Sequence, residues 1–299
     1  MKVAGCCSGA KMWVKVVMWL GCMAVLTMLV LGVWSLFPDK TSVDSLKVLQ
    51  LMQSLCVFLL PPLLMACLWS KQPMGWLHLD HGMPWKVALL AVALIVAGSP
   101  CVNLLSYCNQ QMALPSFLAP LEAWMQQQEE AAAQLTERFL KADSAWGLLG
   151  NVCLMALIPA IGEELTFRGV VQGLLTRGEN KVSAHVAIWA SAIIFSAVHC
   201  QFYGFVPRML LGALFGYALY WSGSLWVPIL MHFTNNALAV VMYYVSEKAQ
   251  WESSVAETFG TGDTLWVGIV SMVLVAAGVY LLRRSRTMSN ASSRMSSGN

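Results

Sequence analysis

The chain has 299 residues, of which 58% are hydrophobic and only 11% are charged. Soluble globular proteins carry about 25% charged residues, so this composition excludes an ordinary soluble domain and indicates a polytopic membrane protein. The formal net charge of +3 is too small to predict binding to nucleic acid. Nine cysteines occur without the CxxC or Cys/His spacings of a metal site. Cys6 and Cys7 precede the first apolar run and are expected to stay free thiols, with acylation as the alternative.

Apolar runs of about 20 residues, the length needed to cross a bilayer, recur along the whole sequence. They predict an all-α polytopic membrane helix bundle with about eight transmembrane helices. The first run is longer than the core of a signal peptide, so a retained span is expected there. The predicted spans are 12–37, 48–69, 85–107, 145–175, 182–202, 206–221, 225–245 and 265–282.

One segment between the third and fourth spans has a different pattern. Its apolar residues, among them Leu121, Trp124 and Phe139, follow helical spacing, while most of its charged residues fall elsewhere on the helical wheel. The pattern predicts an amphipathic helix over 121–140 that lies on the outer surface of the membrane. Packing against the bundle is the expected role, with substrate gating as the alternative.

The loops carry an uneven distribution of positive charge. Most loop Lys and Arg residues share the side of the N-terminus, and an even number of spans returns the basic C-terminus to that side. Both termini are therefore predicted to be cytoplasmic, in a bacterial-type cell membrane. We expect three regions: N-terminal helices over 1–144, a catalytic core over 145–245, and a last helix over 246–299 with a disordered Ser-rich tail from Met288.

Three charged residues lie inside the fourth predicted span, in the run EELTFR. Charged groups are costly in a bilayer and usually mark a function there. Arg168 follows Glu164 by one helical turn, so the two are expected to form an ion pair. Glu163 points about 100° away from Glu164 and is expected to project into a cavity, where a carboxyl group can act on water as a general base. The alternative is that these charges end the span at the membrane interface.

Two further polar patterns recur at helical spacing. His199 follows Phe195 by four residues, and Asn236 follows His232 by four, which places each pair on one helix face. His232 and Asn236 could donate two hydrogen bonds to one oxygen, as an oxyanion hole requires, or they could join helices together. Together with the glutamates, these residues favour a convergent site. The remaining histidines are expected to have surface or interfacial roles: His78, His81 and His185.

Other peptidase chemistries lack their signatures. There is no HExxH motif of a zinc peptidase helix, no Asp inside a predicted span, and no GxSx-type serine placed against an intramembrane histidine. A site built from Glu, His and Asn side chains is what remains.

These motifs resemble those of the CAAX-protease and bacteriocin-processing (CPBP) family of intramembrane peptidases, over about 145–245. The family motifs and the matching residues are EExxxR at Glu163, Glu164 and Arg168, FxxxH at Phe195 and His199, and HxxxN at His232 and Asn236.

The resemblance implies an eight-helix bundle with a membrane-embedded peptidase site. In such a site Glu163 and His199 activate water, His232 and Asn236 stabilise the oxyanion, and the remaining two motif residues, Glu164 and Arg168, position the first pair. The substrate would be a membrane-anchored or hydrophobic peptide, either CAAX-like or bacteriocin-leader-like.

The resemblance leaves the metal question open, because the family is described both as metallopeptidases and as glutamate-dependent peptidases. The only candidate ligands for Zn²⁺ are Glu163, His199 and His232. A metal-free site is favoured, since two histidines used as ligands would leave few groups for the oxyanion.

Two other function classes compete with catalysis. One is a non-catalytic membrane immunity or scaffold protein with the same fold. The other is a small transporter, which the lack of an inverted repeat makes less favoured. Helical rise places Glu163, His199 and His232 about 18, 24 and 10 Å from the cytoplasmic ends of their spans. A common site therefore requires tilt, a kink at Pro159, or different helix ends.

Overall fold

The computed structural model describes residues 4–177, 181–251 and 258–296, with side chains through Arg284 in the last range. Every regular element in these ranges is helical, which confirms the predicted all-α fold. The helices are α1 (Met12–Ser35), α2 (Val43–Trp69), α3 (Pro73–Trp76), α4 (Trp85–Gln110), α5 (Ala119–Leu140), α6 (Ala145–Thr176), α7 (Ala184–Ala197), α8 (Phe205–Ser222), α9 (Trp226–Ala249) and α10 (Leu265–Ser296). Two short 3₁₀ turns, Ser116–Leu118 and Gly262–Thr264, precede α5 and α10.

The protein is an integral membrane protein. Within the described ranges, α1, α2, α4, α6 and the 262–284 stretch are long and apolar enough to cross a bilayer. The other three predicted spans correspond to α7, α8 and α9, which are shorter or carry more polar side chains. The orientation of the termini stays a prediction. The tail from Met288 was expected to be disordered, whereas the helical backbone of α10 continues through it to Ser296.

The fifth predicted span was wrong at its C-terminal end. It was expected to run to residue 202, but α7 ends at Ala197 after only 14 residues. A tight turn follows, in which Cys200 adopts a positive φ of 54° and its amide donates to the Ala197 carbonyl. His199 therefore lies in a turn and not within a long helix. At about 1.5 Å per residue, α7 is only about 21 Å long.

Prolines interrupt two helices next to the polar residues, and side chains from neighbouring helices compensate. A proline lacks an amide hydrogen, and its ring excludes the carbonyl four residues earlier from the helical pattern. In α2, Pro62 frees the Phe58 carbonyl, which accepts a hydrogen bond of 2.8 Å from Thr166 Oγ1 on α6. In α6, Pro159 frees the carbonyl of Met155, and the side-chain amide of an asparagine on α9 donates to it. Both helices contain π-helical turns beside the proline, at Ser54–Leu59 in α2 and at Val152–Leu157 in α6.

A side chain from another helix also enters α4 beside Pro100, which lies inside that helix. The Ser271 hydroxyl of α10 accepts a hydrogen bond of 3.1 Å from the Cys101 amide and donates one of 2.6 Å to the Ala97 carbonyl. Those two groups would otherwise bond to each other, so the hydroxyl is inserted into the helical ladder. Irregular backbone at membrane depth is tolerated because protein groups satisfy it.

Two glycines let α6 and α8 approach closely. Arg168 Nη2 donates to the Gly212 carbonyl at 2.9 Å, and Gln172 Nε2 donates to the Gly216 carbonyl at 3.3 Å. A Cβ atom at Gly216 would lie 2.8 Å from Gln172 Oε1 and 2.9 Å from Ile188 Cγ2. The small residues therefore permit helix contact through side chain to backbone hydrogen bonds, as is common in membrane bundles.

The predicted amphipathic segment forms α5, which covers the turn between α7 and α8. Gln126 Nε2 donates to Tyr203 Oη at 3.2 Å, and the Tyr203 amide donates to Glu129 Oε2 at 3.3 Å. Phe139, near the end of α5, is buried. The helix thus packs against the bundle directly above the segment that carries His199.

Candidate functional site

A cavity of about 460 Å³ lies among α2, α4, α5, α6, α8 and α9 and the turn after α7. Its polar lining comes from Gln50, Ser106, Thr136, Glu163, His199, Arg208, His232, Asn235 and Asn236. α6, α9 and the turn after α7 thus bring the predicted glutamate and both predicted histidines to one cavity, as the hypothesis of a convergent site requires.

The predicted ion pair between Glu164 and Arg168 is confirmed. Arg168 Nη1 lies 2.7 Å from Glu164 Oε1, and the two side chains are 1% and 0% exposed. The guanidinium also lies over the rings of Phe195 and Phe215, at 4.6 and 5.3 Å from their centroids. Because a buried charge is tolerated only with a partner of opposite charge, this pair is what allows α6 to carry a carboxylate inside the bundle.

His232 is held in one orientation by its neighbours. Its Nδ1 lies 2.7 Å from Glu164 Oε1, so the carboxylate accepts the Nδ1 hydrogen, and Nε2 faces the cavity. The ring stacks on Phe215 at 5.2 Å and meets Phe195 edge to face at 5.8 Å. Glu164 therefore joins Arg168 to His232, and the fixed ring presents a single nitrogen to the cavity.

Glu163 projects into the cavity, as the helical geometry predicts. Its side chain is 18% exposed, in contrast to that of Glu164, and its Oε2 lies 3.8 Å from His232 Nε2. This separation is too long for a direct hydrogen bond. A water molecule can contact both atoms at once, which is the arrangement to consider whenever polar groups are separated by more than about 3.5 Å.

His199 enters the cavity from the turn after α7. Its Nδ1 lies 2.8 Å from the Phe195 carbonyl oxygen, so Nδ1 carries the hydrogen and Nε2 is left with a free lone pair. The His199 ring meets Phe195 edge to face, with centroids 5.1 Å apart. Phe195 is thus a common neighbour of His199, His232 and Arg168, and it gives the phenylalanine of the FxxxH motif a packing role.

Asn236 also lines the cavity, but its amide makes a structural contact. Nδ2 donates to the Met155 carbonyl at 3.4 Å, and Oδ1 accepts from Asn235 Nδ2 at 3.2 Å. The Nδ2 group has a second hydrogen that is free to bond elsewhere. Its role toward an oxyanion stays a prediction, beside the contact by which it satisfies the carbonyl freed by Pro159.

The different depths expected for the three catalytic candidates are reconciled by local breaks in the helices. α7 stops before His199, so the chain turns back inside the bundle. α6 changes its winding on both sides of the glutamates, with π-helical turns at Val152–Leu157 and Leu165–Gln172. Such turns are frequent at functional sites, and each rotates the residues after it relative to a regular helix.

Several residues of the site were not predicted from the sequence, among them Phe215, Asn235 and Arg208. Phe215 stacks on His232, Asn235 donates to Asn236, and Arg208 lines the cavity. Arg208 had a detectable signal, since a positive charge within an apolar run is itself unusual. Phe215 and Asn235 had none, because their importance depends on contacts between helices.

The three candidate metal ligands are not gathered around one point in the described part of the chain. Both histidines resemble metal-binding histidines in that one ring nitrogen is tethered and the other faces the cavity. However, within the described ranges no three His, Cys, Asp or Glu side chains converge closely enough to hold a metal ion. Glu163, His199 and His232 thus stay candidate ligands only.

The other three histidines lie outside the cavity, in agreement with their predicted surface or interfacial roles. His78 Nε2 contacts Arg177 Nη2 at 2.8 Å. The remaining two bond to nearby side chains on the surface: His81 to Asp80 at 2.8 Å, and His185 to Tyr217 at 2.9 Å.

Comparison with known proteins confirms the family resemblance for the segment that contains the cavity residues of α6 to α9. Residues 145–238 match the family model described as Type II CAAX prenyl endopeptidase Rce1-like. The chain is 28% identical over 92 residues to the uncharacterized protein YpbD of Bacillus subtilis (strain 168), and the aligned segment covers 29% of this chain and 43% of that protein. It is 29% identical over 102 residues to the membrane-embedded CAAX protease MroQ of Staphylococcus aureus (strain USA300), and the aligned segment covers 33% of this chain and 41% of that protein. The chain thus matches about two-fifths of the length of these relatives, and no solved structure matches it.

Proposed function

We propose that this chain, whose residues 145–238 match the Rce1-like family model, is an intramembrane endopeptidase. It would hydrolyse a peptide bond in a membrane-anchored or hydrophobic peptide by means of a water molecule activated by Glu163 and a histidine. One observation carries the proposal: the Glu163 carboxylate faces His232 Nε2 across 3.8 Å in a cavity within the helix bundle, and the other nitrogen of that ring is fixed by a buried ion pair.

The water is activated by two acceptors. Glu163 Oε2 takes a proton from it as general base, and His199 Nε2, whose lone pair is free because Nδ1 bonds to the backbone, orients it. The water oxygen adds to the peptide carbonyl carbon, and the carbonyl oxygen becomes an oxyanion. Glu163 then gives its proton to the amine nitrogen as the C–N bond breaks. General acid–base catalysis of this kind contributes about 10²- to 10⁴-fold.

The oxyanion is stabilised from the α9 side of the cavity. With a hydrogen on both ring nitrogens, His232 donates from Nδ1 to Glu164 Oε1 and from Nε2 to the oxyanion in the cavity. Asn236 adds the second hydrogen of its amide. Removal of one such donor typically lowers kcat about 10²- to 10³-fold. Glu164 and Arg168 act through His232 by holding the ring in place.

A second cavity supports a hydrophobic substrate. It has a volume of about 430 Å³, its lining is almost entirely apolar, and it shares Val102, Pro207, Leu211 and Asn235 with the catalytic cavity. A lipid chain or an apolar side chain bound there would place the adjoining peptide beside Glu163. The S. aureus relative is a membrane-embedded CAAX protease, which supports CAAX-like substrates, and a hydrophobic leader peptide fits the same cavity.

The test uses purified protein and a panel of lipidated and unlipidated hydrophobic peptides. Wild type is compared with Glu163→Gln and His199→Ala, and with Glu130→Gln as a control, because Glu130 is an exposed carboxylate on α5. We expect cleavage by wild type and the control, and a loss of at least about 10²-fold in the two site variants. Equal cleavage by all four proteins would refute the assignment.

Two further arms separate the alternatives. Cleavage that persists after chelation, in protein free of bound metal by elemental analysis, supports the metal-free route. Full biological activity of Glu163→Gln in cells would instead favour a non-catalytic immunity or scaffold role.

A further inference from the structure

Arg208 is the one lysine or arginine that lines the catalytic cavity among the described residues. Its Nη2 donates to Gln201 Oε1 at 2.7 Å. Its Nη1 is buried and has no hydrogen-bond partner in the described part of the chain. The proposed reaction leaves this guanidinium without a role.

The charges around Arg208 do not neutralise it by contact. The carboxylates within electrostatic range are Glu129 on α5 and Glu163 on α6, but neither approaches within ion-pair distance, in contrast to the buried pair formed by Arg168. Glu129 instead accepts the Tyr203 amide. Desolvated cations are costly when they lack a counter-ion, so an anion that enters the cavity would find a donor ready to bind it.

The position of Arg208 is fixed relative to His199. Both belong to the short connection between α7 and α8 and its first helical turn, and this connection is anchored by the hydrogen bond from Ser196 Oγ to the Phe205 carbonyl at 2.7 Å. Gly204 leaves room for the guanidinium, since a Cβ atom there would lie 3.0 Å from Arg208 Nη2. Arg208 therefore lies on the His199 side of the cavity and can reach a peptide held against the activated water.

We propose that Arg208 binds the C-terminal carboxylate of the substrate peptide, and that this contact determines which peptide bond lies beside Glu163. This inference rests on the proposed peptidase function. The ligand class follows from the chemistry: a guanidinium recognises a carboxylate through paired N–H donors, and the terminal carboxylate is the one anion that every peptide carries whatever its side chains. The cavity volume of about 460 Å³ is at the small end of ligand pockets, which fits a short peptide end and not a long extended chain.

The experiment compares pairs of peptides that differ only at the C-terminus, one a free acid and the other an amide. Wild type, Arg208→Gln and Arg208→Lys are assayed for kcat/KM on both. The control is Arg177→Gln, because Arg177 is likewise half-buried, has a buried Nη1 without a hydrogen-bond partner among the described residues, and lies outside the cavity. We expect wild type and the control to prefer the acid by at least about tenfold, since hydrogen bonds to charged groups are worth about that factor or more.

We expect Arg208→Gln to cleave the acid only as well as the amide, and Arg208→Lys to recover part of the preference. A merely structural role for Arg208 would lower cleavage of both peptides equally. Equal cleavage of acid and amide by wild type would overturn the inference and leave the peptidase proposal intact. The comparison of acid and amide cleavage by wild type needs no variant, so it tests recognition of the carboxylate even where Arg208→Gln fails to fold.

A third peptide separates the two sources of a carboxylate. It is a C-terminal amide with a Glu side chain near its end. Cleavage of this peptide at the rate of the free acid would assign Arg208 to acidic side chains and overturn recognition of the chain end. Glu163→Gln is expected to cleave none of the peptides. If wild type also cleaves none of them, the peptidase proposal itself fails.

Discussion

Glu164→Gln tests whether the buried ion pair holds the site together. Glu164 Oε1 accepts from both Arg168 Nη1 and His232 Nδ1, each at 2.7 Å, and the side chain is fully buried. A glutamine keeps the shape and an acceptor oxygen but removes the negative charge. Arg168 would then remain buried without a counter-ion, and His232 would lose the anion that accepts its Nδ1 hydrogen.

The expected loss of stability follows from these contacts. Breaking a buried pair by removing one partner costs about 3–5 kcal/mol. The Gly212 carbonyl and two aromatic rings still contact the guanidinium, so we expect the lower end, about 3 kcal/mol. The exposed pair of Glu137 and Lys141 gives the matched control, Glu137→Gln, for which about 0–1 kcal/mol is expected.

A double substitution separates stability from activity. In Glu164→Gln with Arg168→Met, no unpaired charge remains, and a flexible apolar side chain fills the space. We expect most of the free energy of unfolding to return, while peptidase activity stays at least about tenfold below wild type because His232 is no longer fixed by a carboxylate. Denaturant unfolding in detergent measures the first quantity, and peptide cleavage measures the second. The reasoning is refuted if Glu164→Gln is as stable as Glu137→Gln, or if the double variant is fully active.

Three further predictions follow from individual contacts. Thr166→Val removes the hydroxyl that bonds to the Phe58 carbonyl and should lower the free energy of unfolding by about 1–3 kcal/mol; wild-type stability by denaturant titration would contradict this. Gly212→Ala places a methyl group 3.1–3.3 Å from atoms of α6 and α7 and should cost about 1–3 kcal/mol as well as activity; an unchanged kcat would argue against close packing at the site. Burial lowers the pKa of His78 below 6.5, and the nearby Arg177 guanidinium lowers it further. As the pH falls, the unfolded chain therefore binds a proton at this histidine before the folded protein does, and the free energy of unfolding should decrease below about pH 6.5. His78→Asn should flatten that part of the pH–stability curve, and an unaltered curve would exclude His78 as its source.

The helices were predictable because apolar runs of sufficient length are a local property of the sequence. The expected spans over 85–107 and 145–175 are close to α4 and α6 as found. The error at the end of α7 has a physical cause, since the sequence remains apolar through residue 198 although the chain leaves the helix at Ala197. Hydropathy predicts burial in the membrane, but it does not distinguish a helix that crosses from one that turns back inside the bundle.

The pair of Glu164 and Arg168 was predictable for the same reason, because residues four apart on one helix must be neighbours. The contact between Glu164 and His232 was not, since it joins residues 68 positions apart on different helices. This contact changes the role expected for the ion pair. The family resemblance implied that Glu164 and Arg168 position Glu163 and His199, whereas in the structure Glu164 contacts His232 and pairs with Arg168.

The irregular backbone and the polar site are parts of one arrangement. Pro159 frees the carbonyl of Met155, and the group that satisfies that carbonyl is Asn236, which also lines the cavity. One helical turn before Asn236, His232 contacts the carboxylate of Glu164, one residue after Glu163. α9 therefore contacts α6 at two positions: Asn236 bonds to the carbonyl that the proline frees, and His232 contacts the buried carboxylate of Glu164. Since a regular α6 would have no free carbonyl for Asn236, the proline contributes to the register in which His232 meets the glutamates.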